Sequence, residues 1–306
     1  MPLALAIDLG GTKVEAALID DAGSIVEASR SRAGTGATAS SEDLQDAVRR
    51  VVEHALAALS EPLIGVGIGS AGPIDQRNGT VSPLNTPAWR AFPLVEFVRE
   101  LVGEVPIELR IDGLCITLGD YWLGAAQGAE SVMGMIVSTG IGGGVILGGK
   151  IAPSSTGNGG HIGHVEVGGH SEPCLCGGTG CVEAVASGPK TVAWAQAQGW
   201  LGQTGEELAR DYAAGNEVAL AAVERAGRAI GHAIASASNV LDLDLVVIGG
   251  GFSKVSPDLF DFIRQSIAER KTFEFVTRLK VVPSALTDDA PLLGAAALVH
   301  RPDLLN

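Results

Sequence analysis

The sequence predicts an α/β protein of two lobes, each built on the same β-meander-plus-helix unit, with a cleft between them. Three observations carry this. Short apolar segments are punctuated by glycine turns. The succession of strand, turn, strand and helix in the first half recurs in the second. A chain of 306 residues is too long for one small core and suits two compact units.

Taken in order, Leu3–Asp8 is an apolar strand, Gly10-Gly11 a turn and Val14–Ile19 a second strand. Asp20–Gly23 turns again into Ser24–Ser29, which completes a three-strand meander. Ser40 to Leu59 reads as an amphipathic helix: Leu44, Ala47, Val48, Val51, Ala55, Leu56 and Leu59 follow helical spacing, and Ser40 with Asp43 has the capping-box pattern. Ile64–Gly69 is a further buried strand. The second half repeats the plan with Ser131–Val137, a glycine turn, Val145–Leu147, later helices and Leu243–Ile248. The turns Asp8–Thr12 and Ser138–Gly144 occupy matching places in the two halves. Ala290–His300 reads as a terminal helix that crosses back onto the first lobe. On this plan residues 1–113, joined by a C-terminal helix at 290–303, form the N-terminal lobe, and 114–289 form the second, interrupted by a loop at 157–188.

That loop carries His164, Cys174, Cys176 and Cys181 in the order H-x9-C-x-C-x4-C, with three of the four cysteines in the chain. Three clustered thiols cannot all pair internally, so a disulfide account leaves one over. Zinc favours four tetrahedral N/S ligands, and a Cys3His set closes its coordination with no position for a reacting water. Gly177, Gly178 and Gly180 supply the positive-φ freedom needed to wrap a small ion. The reading is a structural Zn2+ that clips the loop in place.

Composition narrows the partners. With 35 acidic against 21 basic residues the net charge is −14, a field that repels nucleic acid and anionic membranes. No run reaches the ~18 apolar residues of a membrane span. The N-terminus, with no basic region ahead of its apolar residues, does not read as a signal peptide. Few cysteines, gathered in a metal cluster, point to a reducing cytoplasm. An anionic ligand would need a site built from backbone N–H groups.

Three glycine-rich turns after apolar strands offer such sites: residues 8–12, 138–144 and Gly249-Gly250-Gly251. Without a Cβ, main-chain N–H groups approach phosphate oxygens closely. None fits the G-x-x-x-x-G-K-[ST] pattern, and the third lacks both the G-x-G-x-x-G spacing and the early position of a dinucleotide fingerprint.

These turns, with Gly69-Ser70-Ala71-Gly72-Pro73, Asn85 four residues before Trp89, Gly163-His164, the cysteine run and Leu292-Leu293-Gly294-Ala295-Ala296, resemble the ROK family over residues 5 to about 298. That family comprises bacterial sugar kinases, open reading frames and repressors. The resemblance implies a two-lobed actin-like ATPase (ribonuclease H-like) fold with a zinc-binding insertion in the second lobe. Because the phosphate motif begins at residue 8, it is the kinase branch that the chain resembles, and not the repressors with their added DNA-binding arm.

What the resemblance implies is a cytoplasmic kinase taking ATP and a hexose, with Mg2+ and a structural Zn2+, working as a homodimer or homotetramer. Asp112 would be the base that takes the proton from the sugar 6-hydroxyl. Asp8 would be an outer ligand of Mg2+; Gly10, Gly11 and Thr12 would cradle phosphates, with Lys13 near them or on the surface. Thr139, Gly140 and Gly250 would complete the nucleotide cleft. Gly72, Asn85, His161, His164 and Glu183 would meet the sugar, His164 using its other nitrogen for zinc. Two departures bear on the sugar. The family's glucokinases read Glu-x-Gly-His where this chain has His161-Ile162-Gly163-His164, a form resembling N-acetylmannosamine kinases; and the usual Asn-Asp pair is Ile111-Asp112. An imidazole replaces an acceptor-only carboxylate, and isoleucine cannot hydrogen-bond. An amino- or acylamino-hexose such as N-acetylmannosamine is therefore expected. Glucose, 3-amino-3-deoxyglucose, polyphosphate as the donor, and a sugar-sensing regulator without turnover stay open beside it.

Overall fold

In the computed structural model, which describes residues 1–269, 273–286 and 288–305, the chain opens with β1 (Leu3–Leu9), β2 (Lys13–Asp20) and β3 (Ser31–Gly34). Then come α1 (Ser41–Ala57), β4 (Leu63–Ser70), the small hairpin of β5 (Ile74–Asp75) and β6 (Thr80–Val81), α2 (Leu94–Val102), β7 (Ile107–Ile111) and α3 (Asp112–Leu123). The second half starts with β8 (Val132–Val137), β9 (Ile141–Leu147) and β10 (Lys150–Ile151). After the cysteine loop follow α4 (Val182–Ala186), α5 (Gly188–Ala197), α6 (Gly205–Ala213) and α7 (Glu217–Leu241). The chain ends with β11 (Leu245–Gly249), α8 (Asp258–Ala268), α9 (Glu274–Thr277), β12 (Lys280–Pro283) and α10 (Ala290–His300).

The duplication is visible in the sheets. One has the order β3-β2-β1-β4-β7, the other β10-β9-β8-β11-β12. In each, three meander strands pair antiparallel and two further strands add in parallel. Parallel strands need covered faces; one apolar cluster covers the first sheet and reaches one face of the second through Val132, Ile146 and Val247, and another covers the second sheet's opposite face through Met133, Val145 and Val246.

Local chemistry explains the elements. Ser40 Oγ accepts from the Asp43 amide at 3.1 Å while Asp43 Oδ2 accepts from the Ser40 amide at 2.9 Å, so the capping box starts α1. Leu44, Ala47, Val48, Val51 and Ala55 then face the core. α10 does return to the first sheet: a β-carbon at Gly294 would lie 1.5 Å from the Cys115 carbonyl oxygen, and one at Gly67 1.8 Å from that of Ala295. Glycine at both positions lets α10 lie directly on α3 and β4.

Two expectations are corrected. Ser24–Ser29 is not the third strand; Glu27–Ser29 is a 3-10 turn, and β3 lies further on. Ser29 Oγ, donating to the Val26 carbonyl at 2.6 Å and accepting from the Leu18 amide at 2.8 Å, folds the segment over the sheet edge instead. In the second half the glycine turn is shorter than 138–144, since Gly142, Gly143 and Gly144 belong to β9. A β-carbon at Gly144 would lie 2.3 Å from the Leu114 Cα, so these glycines serve packing against α3.

Candidate active site and metal centre

The two sheets frame a cavity of about 520 Å³. Asp8, at the end of β1, and the turn Gly10–Lys13 enter it from one side, and Ser138–Gly143 from the other. Asn85 comes from the loop before α2, Asp112 from the start of α3, and His161, His164 and Glu183 from the cysteine loop and α4. Thus Asp8, Gly10, Gly11, Thr12, Lys13, Gly72, Asn85, Asp112, Thr139, Gly140, His161, His164 and Glu183 share one cavity. Gly250 does not line it. It turns back behind β8, where a β-carbon would lie 2.6 Å from the Val137 carbonyl oxygen.

Both acidic groups at the floor are perturbed. Burial, and next the nearby Asp112 carboxylate, push the Asp8 carboxyl up to about 7. Burial also raises the Asp112 carboxyl, with Glu183 adding to it, although the Gly113 amide donates to Asp112 Oδ1 at 2.7 Å and opposes the shift. Residues 112–123 form a helix, so Asp112 also stands in the positive field of its first turn. An enclosed carboxylate with a raised pKa can accept a proton from a hydroxyl held beside it. An enclosed carboxyl held near neutrality, as at Asp8, is a group whose ionised form a hard cation would stabilise, so the oxygen donor fits Mg2+.

Gly72 admits another close contact in the cavity wall. A β-carbon there would lie 2.7 Å from His161 Nε2 and 3.6 Å from Ile111 Cγ2. Among the described residues none hydrogen-bonds the buried His161 Nε2, and burial lowers the imidazole pKa, which favours the neutral ring. Gly11 admits Asn85 in the same way, its absent β-carbon leaving room for Asn85 Cβ at 2.8 Å. Glu183 Oε2 accepts from the Ile141 amide at 2.8 Å, which ties α4 to the glycine turn. Lys13 Nζ lies 3.2 Å from Glu15 Oε2 and so is engaged within the first lobe. Glu15 is a buried carboxylate that also receives Arg30 Nε at 2.7 Å and Arg32 NH2 at 2.7 Å; Arg30 NH2 reaches Asp289 Oδ1 at 2.8 Å.

In the cysteine loop the ligand atoms of His164, Cys174, Cys176 and Cys181 all lie within 4.8 Å of one another. Cys174 Sγ is 3.5 Å from His164 Nδ1, and Cys176 Sγ is 3.6 Å from Cys181 Sγ. Bond lengths of about 2.0–2.3 Å in a tetrahedron place ligand atoms roughly 3.5–3.8 Å apart, so the set fits zinc. Gly177 at φ 92° and Gly180 at φ 73° make the turns that gather the thiols. Nδ1 is the nitrogen that faces the thiols, and the ring as a whole lines the cavity.

Sequence reasoning missed three features here. Leu175, between two ligand cysteines, lines the cavity although 75% exposed; a lone apolar residue in a glycine-rich loop was the available signal. The Glu15–Arg30–Arg32 group had none, since its charges meet only through strand pairing. The third is the group around Arg225: His170 lies 3.4 Å from Arg225 Nη2, and the same guanidinium pairs with Glu172, donates to the Val185 carbonyl at 2.8 Å and stacks 5.3 Å from the Trp194 ring.

Among the described residues no helix is long and apolar enough to cross a membrane. The chain is 31% identical over 314 residues to a glucokinase of Thermotoga maritima, covering 97% of each. It is 32% identical over 298 residues to an N-acetylmannosamine kinase of Yersinia pseudotuberculosis, covering 95% of this chain and 96% of that one. Among solved structures, a ROK family glucokinase from Streptomyces griseus in complex with glucose and AMPPNP superposes with a TM-score of 0.84 at 29% identity, over 98% of this chain and 99% of the other. The ROK hexokinase from Thermus thermophilus superposes with a TM-score of 0.82 at 31% identity, over the same shares. The ROK family model itself matches residues 4–302, and the chain belongs to the ROK family.

Proposed function

We propose that this protein is an ATP- and Mg2+-dependent sugar kinase that transfers the γ-phosphoryl group to the 6-hydroxyl of a hexose, with an amino- or acylamino-hexose such as N-acetylmannosamine preferred. The observation that carries the reading is the convergence of Asp112, Asp8 and the two phosphate-type turns on one cavity. Relatives named for glucokinase and N-acetylmannosamine kinase activity support it.

Asp112 accepts the proton of the 6-hydroxyl as that oxygen attacks phosphorus, a role suited to an enclosed carboxylate with a raised pKa. The main-chain N–H groups of Gly10, Gly11, Thr12, Thr139 and Gly140 hold the phosphates by position and partial charge, in a chain too acidic to use a basic surface. Asp8 would hold Mg2+, which when bound offsets the charge on the transferring group. His164, Cys174, Cys176 and Cys181 would hold Zn2+, which when bound fixes the loop. His164 then turns toward the sugar with Asn85, His161, Gly72 and Glu183. The lobes 1–113 with 290–303, and 114–289, close on the pair and exclude water. The working form is a homodimer or homotetramer.

Glucose is kept as a second reading by one observation, the glucose in the Streptomyces griseus relative. A coupled ADP-release assay over glucose, mannose, N-acetylmannosamine, N-acetylglucosamine, glucosamine and 3-amino-3-deoxyglucose tests both. Sugar-dependent ADP formation is expected. Sugar binding without ADP formation would instead identify a sugar-sensing protein.

A further inference from the structure

We infer that Leu175 is a specificity-determining residue whose side chain, held at the cleft mouth by the metal loop, covers the apolar part of a substituent at C2 of the sugar. The inference rests on the reading above, in which Asp112 receives the 6-hydroxyl.

Leu175 is 75% exposed yet belongs to the cavity wall. A single exposed leucine is ordinary on a protein surface. This one differs in the turn that carries it. It stands between two thiols of the metal set, and its turn is pinned by the Cys174 amide donating to the Gly178 carbonyl at 3.0 Å and the Gly177 amide to the Cys174 carbonyl at 3.0 Å. The Gly178 amide lies 3.4 Å from Cys176 Sγ and fixes the far side. The backbone that carries the Leu175 side chain is thereby held at the cavity wall.

Ring geometry supplies the rest. In a hexopyranose, C2 lies across the ring from C5, the atom that bears C6. Asp112 is only partly exposed at the start of α3, whereas Leu175 is open to solvent. A sugar with its C6 at Asp112 therefore presents C2 toward the mouth. A hydroxyl there stays hydrated and gains little from a leucine. The methyl group of an acetamido substituent gains by leaving water, and Leu84 and Pro87 add apolar surface to the same cavity. The hydrogen-bonding groups at the ring then set orientation, and Leu175 discriminates acylated from parent sugar.

The test uses sugars that differ only at C2: N-acetylmannosamine against mannose, and N-acetylglucosamine against glucose. Leu175→Ala is expected to lower kcat/KM for the better acetamido sugar about 10-fold, chiefly through KM, as for loss of a few methylenes of apolar contact. Its parent hexose should change by less than about 2-fold, and Leu175→Met should restore most of the loss. Equal losses for both sugars, no loss for either, or loss of zinc from the Leu175→Ala protein overturns the inference. If the wild type turns over no sugar, the kinase reading fails separately. The same pairs are then compared by calorimetric affinity, where the differential loss is again expected and its absence is again decisive.

Discussion

His161 and Ile111, 50 positions apart in the chain, meet on Gly72, where a β-carbon would lie 2.7 Å from the imidazole Nε2 and 3.6 Å from the isoleucine Cγ2. The two positions at which this chain departs from the glucokinase pattern are thus one surface. A β-carbon at 72 would force His161 to shift while only touching Ile111.

Substrate preference should therefore answer to both together. His161→Glu combined with Ile111→Asn is expected to shift preference toward glucose by roughly 1–3 kcal/mol, the scale of one or two hydrogen bonds. Because the side chains share a contact, the double change should depart from the sum of the single ones by about 0.5 kcal/mol or more. Specificity constants for the four proteins check this. A wild type that already prefers glucose to every amino- and acylamino-sugar would mean that the two departures have no bearing on choice.

Asp112→Asn should keep the fold and sugar binding while lowering turnover by about 10²-fold or more, since an amide cannot take the proton. The working form of Asp112 is the carboxylate, so activity rises with pH through its pKa. Burial raises that pKa, which moves the acidic limb of kcat/KM above the ordinary aspartate value of about 3.9. A pH–rate profile still flat down to that value, or a variant keeping half the wild-type rate, would remove Asp112 from the chemistry.

Protein prepared without chelators should contain one zinc per chain. Cys176→Ala should lose both metal and thermal stability, because the binding free energy of a structural ion is partly folding free energy. Metal analysis by mass spectrometry, read beside a melting curve, decides it.

Glu15 makes a prediction about acid stability. Burial alone would raise its carboxyl, but hydrogen bonds from Arg30, Arg32 and Lys13 outweigh burial and hold it below the usual carboxylate range. A depressed folded pKa contributes stability that is present above the unfolded value, about 4.3, and is lost as pH falls through the folded value. Glu15→Gln is expected to cost about 1–3 kcal/mol at neutral pH by leaving three cations without their shared carboxylate. Urea titrations should show that cost shrinking below about pH 4; a cost that stays constant with pH would contradict the assignment.

Much of this was legible in the chain because it rests on local patterns. The capping box at Ser40, the glycine turns and the spacing of Cys174, Cys176 and Cys181 are short-range signals. Strands β7 and β12 were missed: each is short and made parallel by partners far away in sequence. Gly250 packs against the Val137 carbonyl, and a glycine that hugs a neighbouring carbonyl is written with the same letter as one that cradles a ligand. The meeting of His161 with Ile111, and of Arg225 with Glu172, belongs to tertiary packing, which no spacing rule encodes.

The seat of α10 has a consequence for how the molecule comes into being. The strands it covers, β1 and β4, leave the ribosome early, while Gly294 and Ala295, which touch α3 and β4, emerge after all the strands described. The early-made half therefore waits with an unroofed apolar face until the later-made half has been synthesised, and long-range closure of this kind is slow. A nascent chain arrested before Ala290 should accordingly bind a dye that reports exposed apolar surface, and release of the final segment should abolish the signal. The first half to be translated would then be the last to finish folding.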